Sequence, residues 1–87
     1  MSSVSLTLIG KPGCHLCDDA REVIRGVVAG LPTDAPGVTI EERDILQDAG
    51  LYEKYVEEIP VVLVEGRVHT YWRVDPARLR KALLEAR

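Results

Sequence analysis

The 87-residue sequence contains no apolar run approaching the roughly 20 residues needed to span a bilayer. Its first ten residues lack the basic start and the long apolar region of a signal peptide. It also lacks a basic block, because 11 Lys and Arg are outnumbered by 14 Asp and Glu, giving a net charge of −3. Nucleic-acid binding requires a clustered positive surface. We therefore expect neither nucleic acid nor membrane as a partner.

Cysteine and histidine are scarce, with two residues of each. A zinc site within one chain uses about four ligands, and His15 lies between the cysteines while His69 is far along the sequence. We therefore expect no bound metal, although a site shared between two chains is an open alternative. We expect a cytoplasmic protein, where structural disulfides are rare. Two close cysteines there are more often catalytic, redox-sensing or metal-binding.

Hydrophobic periodicity predicts the element order strand, helix, strand, helix, strand, strand, helix. The predicted strands cover about 4–9, 38–42, 61–64 and 67–71, with a two-residue turn at Glu65-Gly66 between the last two. The predicted helices cover about 14–29, about 47–57 with Asp44 as its N-cap, and the stretch that follows Asp75, with Pro76 as its first residue. Tyr52, Tyr55 and Trp72 are expected mainly as core residues, and Trp72 is the best candidate for a further role.

This order of elements predicts one α/β domain spanning residues 1–87. A strand, helix, strand start makes a parallel pair with a right-handed crossover, and the final hairpin is antiparallel. The expected architecture is a four-stranded mixed sheet, β-α-β-α-β-β-α, with helices on both faces.

The stretch Cys14-His15-Leu16-Cys17 holds both cysteines at the start of the first predicted helix. The reactive form of cysteine is the thiolate, and the unpaired N–H groups and dipole of a helix N-terminus favour an anion. We predict Cys14 as the attacking thiol and Cys17 as the buried resolving thiol of a dithiol redox site. Two alternatives are a pair of ordinary buried thiols and a metal-binding pair. Lys11 is a nearby positive charge that would favour a thiolate or hold an anionic substrate.

In these residues the sequence resembles the glutaredoxin-like branch of the thioredoxin fold. The resemblance covers essentially the whole chain and rests on Lys11, the two cysteines, Ala20 three residues after Cys17, and Ile59-Pro60 before a buried strand. It implies a thioredoxin fold with a cis peptide bond at Pro60 beside the cysteines. It also implies substrate-binding roles for Lys11, Ile59 and Pro60.

The activity implied by this resemblance is thiol–disulfide exchange between the Cys14–Cys17 pair and protein or small-molecule disulfides. A thiol reductant or reductase would regenerate the pair in a monomer without a cofactor. The stretch Tyr71-Trp72-Arg73-Val74 occupies the region where glutaredoxins have a Gly-Gly pair, and its bulky side chains would obstruct the close approach of a tripeptide. We therefore expect glutathione only as a weak co-substrate, and Trp72 as a substrate-binding residue. The alternative function is a non-catalytic thioredoxin-fold binding module whose cysteines act as a redox switch or bind metal.

Overall fold

The computed structural model describes residues 3–86, so both ends of the predicted domain lie outside the described residues. The strands of this part are β1 (Ser3–Gly10), β2 (Gly37–Asp44), β3 (Val61–Val64) and β4 (Arg67–Tyr71). Its α-helices are α1 (His15–Ala29), α2 (Ala49–Tyr55) and α3 (Pro76–Glu85), and a 3₁₀ turn at Ile45–Gln47 precedes α2. The predicted order of strands and helices is confirmed.

The four strands form one mixed sheet in the order β2-β1-β3-β4. β1 runs parallel to β2 and antiparallel to β3, which is in turn antiparallel to β4. The β3–β4 turn at Glu65-Gly66 has φ values of 54° and 79°, and two positive values are what a type I′ hairpin turn requires. Because β3 reverses direction beside β1, the start of β3 lies next to the end of β1, where α1 begins.

Buried apolar side chains of the sheet and helices form two clusters. One cluster joins β1 to α1 and α3, and its buried members include Leu6, Leu8, Ile24, Leu79 and Leu83. The other lies on the α2 side and consists of Ile9, Cys17, Ile45, Tyr55, Ile59 and Val61. One of the two cysteines is therefore part of the hydrophobic core.

The predicted start of the second helix is wrong. Asp44 caps the 3₁₀ turn instead, since its Oδ1 accepts a hydrogen bond from the Leu46 N–H at 2.8 Å. The N-cap of α2 is Asp48, whose Oδ1 accepts from the Leu51 N–H at 3.1 Å. Two Asp residues four positions apart each bind a nearby main-chain N–H, so a separate 3₁₀ turn precedes α2 and the helix begins at Ala49.

The expectation that three aromatic residues belong to the core holds for one of them. Tyr55 is 6% exposed, whereas Tyr52 is 46% and Trp72 54% exposed. α2 is only seven residues long and packs through Leu51 and Tyr55, four residues apart on one face. Tyr52 is displaced from that face, and Trp72 lies in the loop between β4 and α3.

No helix in the described part of the chain is long and apolar enough to span a membrane.

α3 depends on a cap that the sequence predicted correctly. Asp75 Oδ1 accepts hydrogen bonds from the N–H groups of Ala77 at 2.9 Å and Arg78 at 3.2 Å, and Pro76 occupies the first turn. We expect Asp75→Ala to lower the free energy of unfolding by about 1 kcal/mol. Urea denaturation measures this loss, with Asp34→Ala in the exposed α1–β2 loop as the control. Equal stability of the two variants would contradict the role of the cap.

Candidate active site

Cys14 is the N-cap residue of α1. Its backbone is extended, with φ −98° and ψ 113°, and Gly13 before it has a φ of 77° that favours glycine. The Cys14 Sγ accepts a hydrogen bond from the Cys17 main-chain N–H at 3.2 Å. Cys14 is half-buried. The residue is therefore partly exposed to solvent, and its sulfur occupies the position at which a helix stabilises negative charge.

Cys17 lies one turn further along α1 and is 1% exposed. Burial is the largest of the causes that raise the pKa of its thiol to about 11, and a side-chain hydrogen bond with Cys14 is the second. The main-chain N–H of Lys11 and the charge of Arg21 lower this pKa, but by less. Both cysteines are free thiols here. The pair therefore consists of one half-buried sulfur and one buried sulfur whose raised pKa keeps it protonated at neutral pH.

The end of β1 makes room for the buried thiol. A Cβ atom on Gly10 would lie 2.7 Å from the Cys17 Sγ and 3.2 Å from the Cys17 Cβ. Real Cβ contacts essentially never fall below 3.0 Å, so no other residue fits at this position without a shift of the thiol. Gly10 thus fixes where the sulfur of Cys17 lies.

The Ile59–Pro60 peptide bond is cis, as the resemblance implied. Ile59 belongs to the same buried cluster as Cys17, and Cys14 packs against that cluster. The fold therefore brings the cysteine pair close to residues 57–60, the cis-proline segment, although about 40 residues separate the two in sequence.

Trp72 is attached to the cis-proline segment by two hydrogen bonds. Its main-chain N–H donates to the Pro60 carbonyl at 2.7 Å, and its indole Nε1–H donates to the Glu57 carbonyl at 3.2 Å. Its φ of 65° is a left-handed value that costs a residue other than glycine about 1–2 kcal/mol. The Arg73 N–H donates to the Tyr71 carbonyl at 2.7 Å, which closes a γ-turn around Trp72. The strained turn holds the exposed indole beside Pro60.

Two pockets flank the first turns of α1. The Cys17 pocket, of about 310 Å³, lies on the β2 side; its lining includes Gly10, Lys11, Cys17, Arg21 and Asp44. The Trp72 pocket, of about 160 Å³, lies towards β4 and α3; it is lined by Leu16, Asp19, Ala20, Val23, Trp72, Arg73 and Val74. Of the predicted substrate-binding residues, Lys11 thus lies on one flank of the cysteine helix and Trp72 on the other.

Arg21 forms ion pairs that join α1 to the edge strand β2. Its guanidinium lies 2.8 Å from the Glu42 carboxylate and 2.9 Å from that of Asp18. These hydrogen bonds, the stronger with Glu42, raise the pKa of Arg21 well above its usual range. Arg21 therefore stays charged beside the Cys17 pocket.

The sequence prediction did not include Gly10 or Arg21 among the site residues. Gly10 was interpreted only as the end of a strand, because its contact with Cys17 requires the tertiary packing of α1. Arg21 carried a usable signal, since it lies four residues after Cys17 and so on the same helix face.

In residues 3–86, no three His, Cys, Asp or Glu side chains cluster in an arrangement that could hold a metal ion.

Comparison with known proteins identifies the family. The model of the glutaredoxin-like domain (DUF836) matches residues 5–84. The chain belongs to this glutaredoxin-like family. It is 31% identical over 80 residues to an uncharacterised protein of Mycobacterium tuberculosis, which covers 92% of this chain and 82% of that protein.

Solved structures support the fold of this glutaredoxin-like domain. A crystal structure of a protein from X. campestris is 34% identical, with a TM-score of 0.73, and the match covers 94% of this chain and 99% of the other. A mutant thioredoxin from Halobacterium salinarum is 16% identical, with a TM-score of 0.62 over 94% of this chain and 73% of its own. The latter likeness shows the thioredoxin fold alone.

Because Gly10 contacts Cys17, the stability of the protein should be sensitive to a methyl group added at position 10. We expect Gly10→Ala to lower the free energy of unfolding of the reduced protein by about 1–3 kcal/mol, because the added Cβ overpacks the thiol. Gly37→Ala in β2 is the matched control, since a Cβ there meets nothing within 4 Å. Urea denaturation under reducing conditions compares the two. A Gly10→Ala protein as stable as Gly37→Ala would show that the thiol moves without cost.

The burial of Cys17 predicts a contrast between the two thiols. In Cys14→Ser, the remaining Cys17 should react with iodoacetamide slowly and only above pH 9, because burial is the largest cause of its raised pKa. In Cys17→Ser, the accessible Cys14 should be alkylated at neutral pH. Mass spectrometry across a pH series measures both rates. Equal rates at pH 7 would contradict the contrast.

The same raised pKa links stability to pH. The folded pKa of Cys17 lies above the unfolded value of 9.0. Burial of the neutral thiol therefore stabilises the reduced protein fully below pH 9, and this contribution is lost as the pH rises to about 11.

Proposed function

We propose that this glutaredoxin-like domain is a thiol–disulfide oxidoreductase whose Cys14–Cys17 pair exchanges with protein or small-molecule disulfides. The observation that carries the proposal is the pairing of a half-buried sulfur at a helix N-cap with a buried cysteine whose main-chain N–H donates a hydrogen bond to that sulfur at 3.2 Å. An oxidoreductase of this kind needs one sulfur that meets substrate and one that is shielded until the first step is complete.

The reaction runs through a mixed disulfide. The Cys14 thiolate attacks one sulfur of the substrate disulfide, the substrate S–S bond breaks, and the leaving sulfur takes up a proton. Cys17 then loses its proton and attacks the Cys14 sulfur, which forms the Cys14–Cys17 disulfide and releases the second substrate thiol. The substrate gains two electrons and the protein loses two. A thiol reductant or a reductase returns them and regenerates the dithiol.

The environment of each sulfur suits its step. The hydrogen bond from the Cys17 N–H and the positive end of α1 stabilise charge on Cys14 as it attacks. The Arg21 charge and the Lys11 N–H favour negative charge on Cys17, which is the form it takes when it attacks Cys14. In the reverse direction, the same groups favour Cys17 as the leaving sulfur when a reductant attacks Cys14.

The substrate meets Cys14 beside the cis-proline segment in this proposal. The main chain of Ile59 and the ring of Pro60 flank the cysteines, Lys11 supplies a positive charge on one side, and Trp72 supplies an aromatic ring on the other. The stretch Tyr71-Trp72-Arg73-Val74 occupies the region of the family's Gly-Gly pair, so glutathione is proposed only as a weak co-substrate. A monomer working in the cytoplasm, where thiols are kept reduced, completes the proposal.

A second candidate function follows from the raised pKa of Cys17. A thiol that is protonated at neutral pH attacks a mixed disulfide slowly, which suits a binding module whose cysteines act as a redox switch or bind a metal shared with a partner. Turnover distinguishes this candidate from an oxidoreductase.

The test measures reduction of hydroxyethyl disulfide, with electrons supplied first by glutathione and then by a thioredoxin-reductase system. We expect Cys14→Ser to lose activity on the order of a thousandfold or more, because the nucleophile is absent. Cys17→Ser should accumulate a mixed disulfide on Cys14 that mass spectrometry detects. Activity that survives Cys14→Ser would exclude the proposed mechanism. A wild-type protein without turnover under either reductant would favour the binding module.

A further inference from the structure

The Trp72 pocket lies against the cysteine motif itself. Leu16, which lines it, stands between the two cysteines, and Trp72 is bonded through its N–H to the Pro60 carbonyl. The opposite walls of the pocket are thus the first turns of α1 and the loop attached to the cis-proline segment. The pocket is therefore connected to the cysteine motif through Leu16 and to Pro60 through the Trp72 main chain.

The size and lining of the Trp72 pocket select the kind of group that fits. Five of its lining residues are apolar: Leu16, Ala20, Val23, Trp72 and Val74. Its volume of about 160 Å³ is close to that of an apolar protein cavity that binds one benzene molecule, about 150 Å³. One aromatic ring or one branched aliphatic side chain fills such a space.

The charged residues of the pocket do not favour an ionic occupant. Asp19 and Arg73 line it with one charge of each sign, and both are exposed. An anionic group would meet the Asp19 carboxylate, and a cationic group would meet the Arg73 guanidinium. Selection at this site therefore rests on the apolar surface, to which the indole of Trp72 contributes a large, rigid part.

The backbone conformation that positions the indole of Trp72 is strained. The left-handed backbone of Trp72 is closed by the Arg73–Tyr71 hydrogen bond, and the Thr70 hydroxyl donates to the Arg73 carbonyl at 3.0 Å. Strained residues of this kind persist where the surrounding structure holds them, and they concentrate at ligand-binding sites. Glycine would satisfy the turn without strain, whereas tryptophan at this position adds a large aromatic ring to the pocket lining.

We infer that the Trp72 pocket accepts one aromatic or branched aliphatic side chain of a polypeptide substrate, close in sequence to the substrate's reactive cysteine. This inference rests on the proposed function and names its substrate class. Hydroxyethyl disulfide has no group that fills the pocket, and neither does glutathione, whose residues other than cysteine carry a carboxylate or no side chain. The pocket is thus a specificity site for polypeptide disulfides.

The test uses short peptides in which a single cysteine forms a mixed disulfide with mercaptoethanol. Phe replaces Ala at each position next to the cysteine in turn, and kcat/KM for reduction is measured for every peptide. At the best position, we expect the Phe peptide to exceed its Ala counterpart about tenfold, since burial of part of a Phe ring favours the bound substrate. Equal values at every position would overturn the inference.

Three variants locate the preference within the molecule. Trp72→Gly removes the ring while its backbone suits the left-handed turn, and Val23→Phe fills the pocket from α1. Each should reduce the Phe-to-Ala ratio to about one. Tyr52→Ala removes an exposed aromatic ring on α2 that is not part of the pocket, and this control should retain the wild-type ratio. A preference that survives both pocket variants would overturn the inference.

The outcomes separate this inference from the proposed function. A wild-type protein that reduces hydroxyethyl disulfide but treats Phe and Ala peptides alike would overturn the inference alone. A wild-type protein that reduces no disulfide would overturn the proposed function first. A dimer that Trp72→Gly dissociates, observed by analytical ultracentrifugation together with no peptide preference, would assign the pocket to a second copy of the chain and overturn the inference.

Discussion

The packing of the Cys17 sulfur against the main chain of Gly10 is the constraint on which the site depends. β1 is a central strand of the sheet, and its last residue meets the first turn of α1 at a distance that leaves no room for a Cβ atom. The thiol takes the place of an apolar side chain in the core beside Ile9 and Ile59. Burial raises the pKa of this sulfur, while the main-chain N–H of the same residue donates to the half-buried sulfur of Cys14. Core packing thereby assigns the two cysteines different chemistry.

The two flanks of α1 differ in polarity. On the β2 side, the ion pairs of Arg21 with Asp18 and Glu42 join the helix to the sheet edge and place a fixed charge near Cys17. On the β4 side, an apolar pocket lies open beneath the indole of Trp72. On the polar flank, the Arg21 charge favours the thiolate form of Cys17. An apolar, unfilled flank suits contact with another molecule.

The sequence predicted those features that depend on local patterns. The alternation of apolar and polar residues predicted β1, and apolar residues repeating every 3.6 positions predicted α1. The Asp75-Pro76 pair predicted the start of α3. The structure confirms all three elements. The boundary of α2 was wrong because Asp44 and Asp48 compete as caps. The contact of Gly10 with Cys17 and the exposure of Trp72 were not predictable, since both depend on distances between segments remote in sequence. The cis bond at Pro60 was accessible only through the resemblance.

The hydrogen bonds of Trp72 have a spectroscopic consequence. It is the only tryptophan in the sequence, so the intrinsic indole emission of the whole protein arises beside the cis-proline segment. Trp72 is 54% exposed while its Nε1–H is bonded to the Glu57 carbonyl, and its fluorescence therefore responds both to solvent and to movement of that loop. The protein thus carries its own optical reporter at the edge of the cysteine site, with no introduced label.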